Sequence, residues 1–216
     1  MCGGRGTRLG GDTEKPLTPV GGRPTVDRVL DALAGSRVET AHAVVSPHAT
    51  ATRAHLVGER PDLPVVDAPG DGYVADLQYA MEAVGAGDGD DAGDTTHPPL
   101  LTAAADLPLL DSAAVNAVID AAWVDADRPG SLTVCVPAAR KRDLGVSADA
   151  ATEMDGREIV PAGINVVAEE SGSNDGDGAV HLTEDVRLAV NVNYPSDVRV
   201  AERLLADERG DDRPNG

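Results

Sequence analysis

Residues 2–17 read CGGRGTRLGGDTEKPL, a glycine-rich loop closed by a lysine–proline pair. Loops of this kind follow a β-strand and lead into a helix, which makes the chain an α/β problem from its first residues. Gly3, Gly4 and Gly6 have no Cβ, so the backbone over 3–7, Thr7 included, can turn its amides toward an anion and form a phosphate nest. Arg8 carries a planar fork that clamps phosphate oxygens in pairs, and Lys15 adds a compact point charge. This is not a Walker A loop, which needs Gly-Lys-Ser/Thr after four intervening residues.

Composition sharpens the reading of Lys15. The 216 residues carry a formal charge of −19, and Lys15 and Lys141 are the two lysines among 18 basic residues. A chain that has shed nearly all its lysine keeps one beside the glycine loop. The aspartate-rich, lysine-poor surface, with a pI near 4.4, is what keeps a protein soluble where salt screens self-repulsion. It points to the cytoplasm of a salt-accumulating microbe, and it disfavours nucleic acid as a partner because there is no basic footprint. No apolar run approaches a membrane span, and the start lacks the pattern of a signal peptide. Cys2 and Cys135 have neither metal-ligand nor redox spacing, so reduced thiols in a cytoplasmic protein are expected. Monomer and homodimer both remain open.

Short apolar runs at 41–45, 64–66, 100–104, 132–136, 164–167 and 188–192 read as buried strands. Helical patterns at 26–33, 49–57, 73–84, 113–124 and 195–205 alternate with them. Such alternation predicts a mostly parallel sheet covered on both faces, with ligands at the carboxyl ends of its strands. One domain over 1–206 is expected, with acidic insertions at 85–99 and 169–179 and an acidic tail at 207–216. The aspartate runs do not match EF-hand spacing.

TAAADLPLL (102–110) is apolar up to Asp106, which places a carboxylate at a strand end before Pro108 breaks the strand. Such a group suits Mg2+, which takes one or two carboxylates plus phosphate oxygens. Helix capping is the other role open to it, although Asp111 and Ser112 stand closer to the next helix.

These elements resemble the nucleotidyltransferase superfamily, whose signature is a strand, L-x-A-G-G-x-G-T-R-x, then K-P-L. The resemblance implies a Rossmann-like three-layer fold. Cys2 stands where the family has alanine, and the leading strand does not precede the loop. Met1 is therefore expected to be a misassigned start, which intact-mass analysis of the natural protein checks. NVNYPSD (191–197) is similar to the N-x-N-T-P-x-D-L element that closes family sites. It makes Asn193 a second metal-site candidate, with Asn191 behind it. Tyr194 replaces the usual threonine, so Asn193 is alternatively a helix cap. VPAGINVV (160–167) and DGYVADL (71–77) closely resemble stretches of the archaeal GTP:adenosylcobinamide-phosphate guanylyltransferases. There Gly163 and Asn165 are expected at the substrate edge; a buried strand with a bulge glycine is the rival role.

This resemblance implies adenosylcobinamide phosphate + GTP → adenosylcobinamide-GDP + pyrophosphate, with Mg2+ as cofactor. The attacking phosphate monoester has a second pKa of about 6 and is mostly ionised at neutral pH, so no general base is needed. Arg8 and Lys15 would neutralise the triphosphate, while Asp106 holds the metal. Ser46, Asp67 and Asp76 are the candidates to reach the base, though nothing in their spacing selects guanine. Guanylyl transfer to a molybdopterin and GTP binding without turnover are the rival functions.

Overall fold

The computed structural model describes residues 1–2, 8–10, 13–85, 99–123, 129–168 and 178–211. The phosphate-nest residues Gly3, Gly4, Gly6 and Thr7, most of both acidic insertions and the last five residues lie outside the described residues.

After a 3-10 turn at Lys15–Leu17, β1 (Pro19–Val20) and β2 (Arg23–Pro24) form a small hairpin that feeds α1 (Thr25–Ala34). Val26, Val29 and Leu30 recur at helical spacing and form the buried face of α1. Next come β3 (Ala43–Val45), α2 (Thr50–Glu59), β4 (Val65–Asp67) and α3 (Tyr73–Gly85). The second half comprises β5 (Leu100–Ala103), α4 (Ser112–Ala122), β6 (Leu132–Pro137), α5 (Ala138–Leu144), β7 (Thr152–Met154) and β8 (Arg157–Val167). It ends with β9 (Ala179–Leu182), α6 (Val186–Ala189) and α7 (Pro195–Asp211). Every strand and helix expected from the apolar patterns is found save one, although β8 begins seven residues before 164 and α7 runs six beyond 205.

The exception is 188–192, expected as a strand. Asp185 accepts the Arg187 amide at 2.9 Å and starts α6 instead. Val190 and Val192 then run extended and fully buried outside any strand. The apolar run recorded burial, which periodicity cannot distinguish from strand pairing.

Pairing direction also departs from expectation. β3 and β4 are parallel, and so are β6 and β9, but β8 runs antiparallel to both β5 and β6. The order β5-β8-β6-β9, with β7 also on β8, is therefore a mixed sheet rather than a mostly parallel one. Met1 and Cys2 link this sheet to β3. The Cys2 amide donates to Val44 O at 2.8 Å, the Met1 ammonium donates to Ala103 O at 2.8 Å, and Ala105 N donates to Met1 O. The main core, built from Ala, Val, Leu and Ile of α1, α4 and the sheet, needs no phenylalanine. Among the described residues no helix is long and apolar enough to cross a membrane.

Candidate active site

The EKPL stretch is pinned from both ends. Glu14 accepts the Ala51 and Thr52 amides at the start of α2, at 2.9 and 2.7 Å. Partial burial pushes the Glu14 carboxyl up, but the bonds from Thr52 and Ala51 outweigh it and hold the group below its ordinary value. Pro16 is buried, and its carbonyl accepts Thr25 Oγ1 at 3.0 Å. Lys15 is thus held on a short turn whose neighbours are fixed.

Its ammonium contacts Asp106 Oδ2 and donates to Asn193 Oδ1 at 2.7 Å. The Asp106 carboxylate lies just past β5, as the apolar run implied, and its side chain is 13% exposed. Asp111 caps α4 by accepting the Ala114 amide at 2.7 Å, so Asp106 is not needed there. The two oxygens expected to hold a metal therefore already share a cation. A carboxylate and an amide carbonyl converging on one positive charge form a hard-oxygen donor pair of the kind Mg2+ accepts beside phosphate oxygens. Among the described residues no group of three or more His, Cys, Asp or Glu side chains is placed to hold an ion.

The NxNYPSD element is organised by a residue that sequence reading left out. Asp197 is fully buried, and its carboxylate accepts the amides of Asn193, Tyr194 and Ser147 and the Ser147 hydroxyl, all at 2.9 Å. It supplies the cap that Tyr194 cannot, which leaves the Asn193 side chain free to face Lys15. The signal was the aspartate three positions after Tyr194, at the head of an amphipathic run.

Beside Lys15 and Asp106 opens a cleft of about 350 Å3, whose lining includes Ser46, Gly70, Tyr73 and Asp76. Asp76 Oδ1 accepts the amides of Gly70 and Asp71 at 2.8 and 3.2 Å and shapes the loop before α3. Gly70 is required there: its φ is +85°, and a Cβ would meet Pro47 at 2.8 Å. The buried Ser46 hydroxyl has no hydrogen-bond partner among the described residues.

The remaining candidates lie elsewhere. Arg8 points to Asp149 at 3.2 Å and stands 6.0 Å from the Tyr194 ring, with its side chain 63% exposed. Asp67 does not line the cleft; it pairs with Arg53 at 2.7 and 2.9 Å, because the end of β4 faces α2. Asn165 is also outside the cleft lining, on β8 between Thr102 and Thr133. Gly163 sits behind the carboxylate, in a bulge where residues 162–164 of β8 oppose Val134 of β6. Its φ is +82°, and a Cβ would lie 3.1 Å from Ala104 and 3.3 Å from Asn191 Nδ2. Asn191 takes a position deeper than Asn193. Its Nδ2 donates to Ala162 O at 3.1 Å and approaches Asp106 Oδ1 at 3.5 Å.

The glycine loop, the mixed sheet and the lysine–carboxylate pair define a nucleotidyltransferase: residues 1–172 match the MobA-like NTP transferase domain, and the chain belongs to that family. It is 30% identical over 215 residues to the adenosylcobinamide-phosphate guanylyltransferase of Methanocaldococcus jannaschii, covering 95% of each chain. It is also 32% identical to the 2-C-methyl-D-erythritol 4-phosphate cytidylyltransferase of Frankia casuarinae, covering 94% of this chain and 78% of the other. The fold is similar to that of 4-diphosphocytidyl-2C-methyl-D-erythritol synthase from Anaerococcus prevotii. That match has a TM-score of 0.59 at 12% identity and covers 95% of each chain.

Proposed function

We propose that this nucleotidyltransferase moves GMP from GTP to adenosylcobinamide phosphate, in the nucleotide-loop stage of cobalamin assembly. The full-length likeness to the Methanocaldococcus enzyme supports this choice of substrates, as do the GYVADL and PAGINVV stretches. The observation that carries the chemistry is Lys15 placed against both Asp106 and Asn193 at the mouth of the cleft.

An oxygen of the acceptor's phosphate attacks the α-phosphorus of GTP, and the bond from that phosphorus to the pyrophosphate oxygen breaks. The attacking group is already an anion, so no proton has to be removed, and catalysis is positioning plus charge neutralisation. Asp106, with Asn193, would hold a divalent ion, which supplies charge compensation between the reacting phosphates when bound. Lys15 then turns its ammonium from these oxygens to the phosphates. Arg8 leaves its exposed contact with Asp149 to do the same, while the amides over 3–7 cradle the triphosphate. Ser46 and Asp76 stand on the wall where the base would lie.

The test is to incubate the chain with labelled GTP and Mg2+ in concentrated potassium chloride, the milieu the acidic surface suits. Each acceptor is offered in turn and pyrophosphate is followed. Release that depends on adenosylcobinamide phosphate is expected; release only with molybdopterin would replace it. Binding of GTP with no release for any acceptor would refute both.

A further inference from the structure

The chain has two lysines, and both bear on one carboxylate. Lys15 reaches Asp106 from the cleft. Lys141, on α5, serves it from the interior and is only 2% exposed. Its Nζ donates to the Ala189 carbonyl at 2.7 Å and to Asn191 Oδ1 at 3.0 Å. Burial holds the Lys141 ammonium below its ordinary value, and the charges of Asp197 and Asp106 offset this only in part.

An ammonium in this place is costly for a fold. Burying a charge carries a penalty of several kcal/mol, and an apolar side chain of similar volume often serves stability as well or better. Apart from Lys15, every other Lys or Arg position of the chain is an arginine, so the lysine is retained against the trend of the whole composition. Its chemistry gives a reason. Lysine only donates, and the Ala162 carbonyl on the other side of Asn191 only accepts. Between them the Asn191 amide has one orientation, Oδ1 toward Lys141 and Nδ2 toward Ala162 and Asp106. Gly163 lets the amide come this close, since a Cβ there would crowd Nδ2.

We propose that Lys141 is a positioning residue for the reaction: it sets the Asn191 amide, and that amide fixes the Asp106 carboxylate facing Lys15 and the phosphates. The proposal rests on the nucleotidyl-transfer reading for its kinetic consequence but not for its geometric one.

The experiment uses Lys141→Met, Asn191→Ala and the double variant in the full chain. Pyrophosphate release, melting temperature and the side-chain amide resonances of Asn191 are recorded. Each single variant is expected to lose roughly 10–100-fold in kcat, the range for residues that orient a metal-site ligand, with KM for GTP within about threefold of wild type. The double variant should lose no more than the worse single one, since both act through one amide. In Lys141→Met the Asn191 amide resonances should leave their wild-type positions. Wild-type kcat in either single variant, or losses that multiply in the double one, would overturn the proposal. Should Lys141→Met not fold, Asn191→Ala decides alone, because it leaves Lys141 its carbonyl partner. A wild-type chain without turnover removes the transfer reading instead. The amide resonances then decide, and unchanged positions in Lys141→Met reject the positioning role.

Discussion

Two cations near the start of the chain, Lys15 and Arg8, are held in opposite ways. Lys15 is 20% exposed, sits on a turn anchored through Glu14 and Pro16, and meets a carboxylate and an amide at once. Arg8 is 63% exposed and leans on Asp149, whose other visitor is the Tyr194 hydroxyl at 2.5 Å. Exposed ion pairs are worth about 0–1 kcal/mol, so Arg8 is released at little cost, whereas Lys15 is preorganised. One is a fixed part of the candidate site; the other is an exposed arm held by a weak ion pair.

The sharpest way to break this contrast is to remove each cation. Lys15→Ala is expected to lower kcat by roughly 10²–10³, as for loss of a preorganised group. Arg8→Ala should cost about tenfold, near the value of one charge-assisted hydrogen bond. Steady-state rates of pyrophosphate release compare them, and equal losses would erase the distinction. Gly163→Ala tests the packing behind Asp106. With φ at +82° and Ala104 3.1 Å from the new methyl, it should destabilise the chain by about 1–3 kcal/mol in denaturant unfolding. A neutral result would mean the bulge yields and the carboxylate's support is soft.

Smaller effects sharpen the same picture. Asp149→Ala frees Arg8 and should change unfolding free energy by less than about 1 kcal/mol. A loss several times larger would show that the arm is structural. The Glu14 anchor predicts a pH effect on the Lys15 side alone. Because the folded carboxyl is held below the ordinary value of 4.5, its contribution is complete above that pH. It is lost as pH falls through the lower folded value. Glu14→Gln should therefore flatten the acid limb of melting temperature against pH, and an unchanged limb would show that the anchor carries no such linkage.

Much of the site was written in local signals. Asp106 ends an apolar run before a proline, Lys15 survives in a lysine-depleted chain, and the longer helices α1 to α4 and α7 announced themselves by spacing. Other parts were silent for identifiable reasons. Helix α5 reads AARKRDL, with no apolar stripe, because what it buries is Ala138 and Lys141. Its partner Asn191 is a polar residue whose burial is made tolerable by Lys141 and the Ala162 carbonyl, both distant in the chain. Asp67 looked like a base contact from its strand-end position, yet Arg53 of the neighbouring helix claims it.

Taken alone, the sequence determined five of the strands (β3, β4, β5, β6 and β8) and five of the helices (α1 to α4 and α7), that a glycine loop precedes a lysine, and that a carboxylate closes a buried strand. These follow from backbone preference and from burial, both of which act over a few residues. Only the tertiary structure decided that β8 runs antiparallel to its neighbours, that 188–192 is buried without pairing, and that Asn191 and Lys141 stand behind Asp106. Strand direction and side-chain partners depend on contacts between residues far apart in the chain, and a local pattern of apolar and polar residues is the same whichever partner supplies them.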